Sequence, residues 1–235
     1  MAPSYRSPGP KRSLTCVSRN LVLLGSTAVG KSSLAYRYVK NDFQESLPTV
    51  GCSFFTKIIR MESATVKLEI WDTAGQEKYH SVCHLYYRGA HAALLVYDIT
   101  NKETLGRAKL WLRELEKEFL HDEIVIALVG NKTDLAEERE VPAEEGEEFA
   151  RSRSLLFTET SAKSNHQVKD VFMAVAERQE ERRRAFIGVP HLQLRCCAPP
   201  GGAGGAEGRR LAASRPPSAG CLLPRLAVAQ ISPPA

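Results

Sequence analysis

The sequence predicts an α/β, doubly wound domain in which a mostly parallel six-stranded sheet carries helices on both faces. Three observations predict it. Apolar runs of strand length alternate with helix-period patterns from Leu21 to about Arg184. Some of these runs, such as Ala93-Leu94-Leu95-Val96, are apolar throughout, which suits strands covered on both faces. Four short polar motifs each begin where such a run ends, and in an open α/β sheet the carboxyl ends of the strands are where ligands gather.

Strands are expected over 21–24, 67–71, 92–97, 124–129 and 155–158, with a sixth over 54–59. Leu34, Tyr36 and Val39 mark a first helix. Ala108, Trp111, Leu112, Leu115 and Phe119 recur at helical spacing, and Val168, Val171, Phe172 and Val175 mark the last helix. These side chains are most simply core. The stretch 1–18 reads as a flexible N-terminal arm and 19–184 as the folded domain. The stretch 185–235, dominated by Pro, Gly, Ala and Arg, buries too little apolar surface to offset its ordering cost and reads as a disordered tail.

With 235 residues and 43% hydrophobic content, the chain suits one domain with tails. Its net charge of +5 is unevenly placed: residues 182–235 hold eight Arg, no Lys and a single acid, Glu207. The body is close to neutral and the tail basic, a pattern that favours an anionic surface such as a membrane leaflet. The same pattern also suits a plain solvated arginine run. Cys16, Cys52, Cys83, Cys196, Cys197 and Cys221 show no C-x-x-C pair and no metal-ligand spacing, which fits reduced cytosolic thiols better than a disulfide framework. The opening residues lack the apolar segment of a signal peptide, and Ala2 excludes N-myristoylation. No apolar run approaches the roughly 18 residues that span a bilayer.

The first motif, Gly25-Ser26-Thr27-Ala28-Val29-Gly30-Lys31-Ser32, follows one strand and opens a helix, the context a phosphate-binding loop requires. Gly25 and Gly30 let backbone N–H groups converge on a β-phosphate, and the positive helix N-terminus reinforces them. The nucleotide-binding set expected here is Thr27, Ala28, Val29, Gly30, Lys31, Ser32 and Ser33, with Lys31 bridging phosphate oxygens and the Ser32 hydroxyl on Mg²⁺. In Asp72-Thr73-Ala74-Gly75-Gln76, Asp72 is placed to hold Mg²⁺ through a water, and Gly75 to offer its N–H to the γ-phosphate. Gln76 is placed to orient an attacking water.

Asn131-Lys132-Thr133-Asp134 reads the base. A carboxylate such as Asp134 pairs with guanine's ring N–H and exocyclic amine, a donor pair that adenine lacks. That mismatch costs about 1.5–3 kcal/mol for a charged group. Ser161-Ala162-Lys163 adds a backbone N–H toward the guanine carbonyl. Each motif alone is weak; the four in this order describe a pocket for GTP and GDP. A nucleotide-gated binding module that scarcely hydrolyses GTP is weakened by Gln76, and a nucleotide kinase or ATPase by Asn131 and Asp134.

These motifs, with Val50-Gly51-Cys52-Ser53-Phe54, the run 67–79, Tyr86-Tyr87-Arg88-Gly89-Ala90 and Leu95-Val96-Tyr97-Asp98-Ile99-Thr100, resemble the Rab branch of the Ras superfamily of small GTPases over about 19–184. The resemblance implies a single P-loop GTPase domain acting as a monomeric GTP/GDP switch in vesicle-mediated traffic. It implies Mg²⁺ as cofactor and Thr49 as a second hydroxyl on that ion. Loops near 43–53 and 73–88 would be ordered by the γ-phosphate. Phe54, Trp71 and Tyr86 match by position an aromatic surface shown to effectors. The implied partners are an exchange factor, a GTPase-activating protein and effectors, with no nucleic acid. The implied location is cytoplasmic, with association at endosomal or recycling vesicle membranes.

Three departures from the Rab pattern stand out. The loop from Phe43 to Thr49 is one residue short, so the family's aromatic contact with guanine through Phe43 stays open. Cys196-Cys197 match the paired cysteines that carry prenyl anchors, but 38 residues follow them, so this form is expected to lack a legible anchor and to be mostly soluble. Thr27 stands where Ras has glycine, and its branched side chain crowds the attacking water. Intrinsic hydrolysis is therefore expected to be slow. Thr27→Gly should raise the single-turnover rate of GTP cleavage, and an unchanged rate would remove Thr27 as its cause.

Overall fold

The computed structural model describes residues 16–45, 48–62, 64–75, 85–119 and 123–188. Among the described residues the strands are Cys16–Leu24 (β1), Cys52–Arg60 (β2), Thr65–Thr73 (β3), Ala92–Asp98 (β4), Val125–Asn131 (β5) and Leu156–Glu159 (β6). They lie in the order β2-β3-β1-β4-β5-β6. Only the β2–β3 pair is antiparallel; β3, β1, β4, β5 and β6 run parallel. Their carboxyl ends therefore share one edge, which brings the four motifs to the same place. No described helix is long and apolar enough to cross a membrane.

Alternation along each strand sends side chains to two cores. On one face Leu21 and Leu23, Val66, Leu68 and Ile70, and Leu94 and Val96 pack beneath helices Lys31–Lys40 (α1) and Val168–Gly188. On the other, Val22, Leu24, Leu95 and Tyr97 meet helices Lys102–Glu118 (α2) and Ala143–Ser152 (α3). The helix Val168–Gly188 is α4. β4 lies between β1 and β5 and is buried along its whole length, which explains why its sequence is apolar rather than alternating.

The observed elements differ from the sequence expectation mainly at their ends. β1 starts at Cys16, inside the stretch read as an arm, because Cys16, Val17 and Ser18 pair with Thr65, Val66 and Lys67 of β3. That polar start carries little strand signal of its own. α2 stops one residue before Phe119, whose N–H caps the helix on the Leu115 carbonyl at 2.9 Å. α3 has no counterpart in the sequence reading. It is short and acidic, with Gly146 in its middle, although Pro142 at its N-cap and Glu144 and Glu145 in its first turn are ordinary helix-start signals. The stretch 185–235 read as a tail begins inside the last helix, which runs on to Gly188, and residues 189–235 lie outside the described residues.

Phe172 on α4 is fully buried and stacks on Tyr38 of α1, with ring centroids 4.0 Å apart and planes within 8°. The burial that locks this pair also pushes the Tyr38 hydroxyl up to about 12. Phe172→Ala should destabilise the protein by about 3–5 kcal/mol. Removing the half-exposed Phe54 should cost far less in the same urea denaturation with GDP at saturation.

Candidate functional site

The carboxyl edge of the sheet encloses a cavity of about 410 Å³. Its wall gathers residues from all four motifs, including Lys31, Ser32, Gly75, Asn131, Asp134 and Lys163, together with Thr49. The phosphate loop forms its floor. Gly30 takes φ +92° and presents its bare Cα to the Asn131 amide, so a Cβ there would collide with Asn131 Nδ2. Lys31 is buried against the loop, with Nζ donating to the carbonyls of Gly25 at 2.9 Å and Ser26 at 2.7 Å. Thr27 and Ala28 sit exposed on the rim, and Ala28 has φ 63°. The Val29 side chain turns into the core, so only its backbone faces the loop. Ser33 lines the wall and donates to the Gln44 carbonyl at 3.1 Å.

Three hydroxyl and carboxylate oxygens converge at one end. Ser32 Oγ donates to Asp72 Oδ2 at 2.6 Å and lies 2.7 Å from Thr49 Oγ1. Asp72 Oδ1 is buried with no hydrogen-bond partner. Burial raises the Asp72 carboxyl above its ordinary range; the hydrogen bond from Ser32, the Lys31 charge and Thr49 oppose that shift. A buried carboxylate with an orphaned oxygen, next to two hydroxyls, fits a hard divalent cation such as Mg²⁺. One carboxylate with two hydroxyls is not a cluster of three acidic, His or Cys ligands, and among the described residues no such cluster occurs.

At the other end the loops that follow β5 and β6 interlock. Asn131 Nδ2 donates to the Val29 carbonyl at 2.8 Å, while its Oδ1 accepts from the Ala162 N–H at 3.2 Å and from Thr160 Oγ1 at 3.4 Å. Asp134 lines the cavity and accepts from Ser161 Oγ at 2.5 Å. Ser161 itself is fully buried and stands behind that carboxylate rather than on the wall. Lys132 adopts φ 74° and ion-pairs through Nζ with Asp98 Oδ2 at 2.6 Å. Phe43 lines the cavity and packs against the core beneath α1 and α4.

Gln76 lies outside the described residues. Phe54, Trp71 and Tyr86 form a row away from the cavity, with centroids 4.7 and 5.8 Å apart. Sequence reasoning passed over several contributors. Asp98, at the end of β4, is visible only as a strand-end acid; Glu45, Pro48 and Leu135 reach the wall through loop paths that no spacing encodes.

A model of the Ras family matches residues 20–181. The chain is 57% identical over 212 residues to the human Ras-related protein Rab-17, an alignment covering 84% of this chain and all of that protein. It is 65% identical over 162 residues to the mouse Ras-related protein Rab-17, covering 69% of this chain and 76% of that protein.

A Cβ on Gly75 would collide with the Ser26 and Thr27 backbone, so the segment meets the phosphate loop with no room for a side chain. Forcing one in costs about 1–3 kcal/mol. Gly75→Ala should weaken GTP relative to GDP by about tenfold or more in titration calorimetry. Equal loss for both nucleotides would remove Gly75 from the γ-phosphate end.

Proposed function

The chain belongs to the Ras family, in its Rab branch, as a small GTPase of vesicle traffic that hydrolyses GTP to GDP and phosphate, and we propose that the cavity at the carboxyl edge of the sheet is where it does so. One observation carries the assignment: residues from all four motifs, 25–32, 72–76, 131–134 and 161–163, line a single cavity. Its two ends differ in chemistry, hydroxyl-lined at Ser32 and Thr49 with the buried Asp72 carboxylate behind them, and amide- and carboxylate-lined at Asn131 and Asp134.

Lys31 and the N–H groups of the phosphate loop bind the β- and γ-phosphates, aided by the α1 N-terminus. Ser32 and Thr49 would hold Mg²⁺ directly and Asp72 through a water; when bound, the ion neutralises charge gathering on the β- and γ-oxygens. Gly75 donates its N–H to the γ-phosphate. Gln76 orients a water in line with the γ-phosphorus. The water oxygen bonds to phosphorus as the bond to the β–γ bridging oxygen breaks. The water's proton leaves with phosphate, and the electron pair stays on GDP. Asp134 reads the guanine ring N–H and amine, held in place by Ser161, while Ala162 and Lys163 border the base and Asn131 ties its loop to the phosphate loop.

The domain so assigned spans 19–184, extended to Cys16 by β1 pairing. Its partners are an exchange factor, a GTPase-activating protein and effectors, the last seated on the Phe54–Trp71–Tyr86 row. The basic segment from Arg182 onward favours an anionic vesicle membrane. The test is single-turnover [γ-³²P]GTP hydrolysis with Mg²⁺, beside Gln76→Leu and an ATP control. Slow phosphate release from GTP alone, lost in the variant, is expected. Equal release from ATP would defeat the base assignment, and an unaltered variant would remove Gln76 from the chemistry.

A further inference from the structure

Arg37 lies on α1, outside the cavity wall, yet its guanidinium is committed to the loops that build the base end. Nε donates to the Ala162 carbonyl at 2.8 Å and Nη2 to the Lys163 carbonyl at 2.9 Å. Nη1 reaches the Asn41 carbonyl at 3.3 Å, and the guanidinium carbon sits 5.9 Å from the centroid of the Phe43 ring. Its partners among the described residues are thus carbonyls and a ring face. They come from two segments remote in sequence, 41–43 and 162–163. Ala162, Lys163 and Phe43 all line the cavity.

A positive charge at this position is more than α1 needs for helicity. Charge-assisted donors are shorter and stronger than neutral ones, and a planar fork can serve two carbonyls at once where an ammonium serves as a point. The Asn41 residue that closes α1 sits at φ 58°, so the chain turns sharply here and sets Phe43 beside the same guanidinium. The two segments bordering the base are therefore joined to each other through one side chain anchored on the phosphate-loop helix. Among the described residues, none of its hydrogen bonds goes to Ser32, Thr49 or Asp72 at the opposite end of the cavity.

We propose that Arg37 is a positioning residue for the guanine nucleotide: it clasps the 162–163 loop and the Phe43 ring together, and so governs how fast nucleotide leaves. The proposal rests on the reading of the cavity as a guanine-nucleotide site. Leaving requires these two segments to part, whereas the chemistry takes place at the γ-phosphate. Arg37 thus acts on retention and not on cleavage.

The experiment loads the full chain with methylanthraniloyl-GDP and follows its release after a chase of unlabelled GDP. Wild type is compared with Arg37→Ala and Arg37→Lys. Release should be about 10- to 100-fold faster in Arg37→Ala, the range expected for losing charge-assisted bonds, and intermediate in Arg37→Lys. Single-turnover cleavage of preloaded GTP should not change in step. Equal release rates for wild type and Arg37→Ala would overturn the proposal while leaving the site reading intact. A parallel fall in cleavage would also overturn it, by making Arg37 a general structural support. Failure of wild type to retain methylanthraniloyl-GDP would instead sink the site reading, and Arg37's role with it. If Arg37→Ala does not fold, Arg37→Lys decides alone: faster release supports the clasp, unchanged release overturns it.

Discussion

The site depends on one buried amide. Asn131 is 1% exposed and uses both ends of its side chain, donating to the phosphate loop through Val29 and accepting from Ala162 and Thr160. A carboxylate of the same shape could accept but not donate, and a leucine could do neither. The strands deliver their loops to one edge, but parallel pairing alone fixes their positions only to the last ladder bond. Asn131 carries order past that point. Its own backbone continues the link, since the Ile99 N–H donates to its carbonyl at 3.1 Å, joining the end of β5 to the turn after β4. An unpaired amide at this depth would cost about 1–3 kcal/mol, so the stitched arrangement is favoured over any loosened one.

How much of this was legible in the sequence follows from the range of the interactions. Lys31, Ser32 and Asp72 could be found because their chemistry requires fixed residue types beside fixed backbone shapes, and strand ends flag where to look. The buried strands were legible because covered positions must be apolar. Arg37 was not: it sits on the polar side of a helix, and its partners are backbone carbonyls that carry no sequence mark. Asp98 was quoted within a run but not as a partner of Lys132, because an ion pair between two strand ends appears only once β4 and β5 are side by side. The helix α3 escaped because four of its first five residues are Glu or Gly and its buried face is only Gly146 and Ala150. Phe43 could be placed only by packing, which sets its ring against the core beneath α1 and α4 and on the cavity wall.

The oxygen-rich end illustrates a different constraint. Asp72 is wholly buried beside a lysine, a serine and a threonine, and one of its oxygens has no partner. A protein selected for stability alone would fill or remove such a group. Its retention means that folding leaves an electrostatic demand unmet, one whose chemistry fits a hard cation such as Mg²⁺. Ligand binding and stability are coupled there, because whatever meets the demand binds the folded state and not the unfolded chain.

The aromatic row draws its rings from two separate parts of the chain. Phe54 and Trp71 face one another across a cross-strand pair, so the ladder fixes their spacing whatever fills the cavity. Tyr86 reaches the row from the far side of the segment that begins at Gly75, the glycine pressed against the phosphate loop. Two rings are therefore held by one ladder, and the third is brought to them by a different stretch of chain. A surface that seats all three at once therefore rests on both stretches together, and any shift of one against the other changes the face it meets.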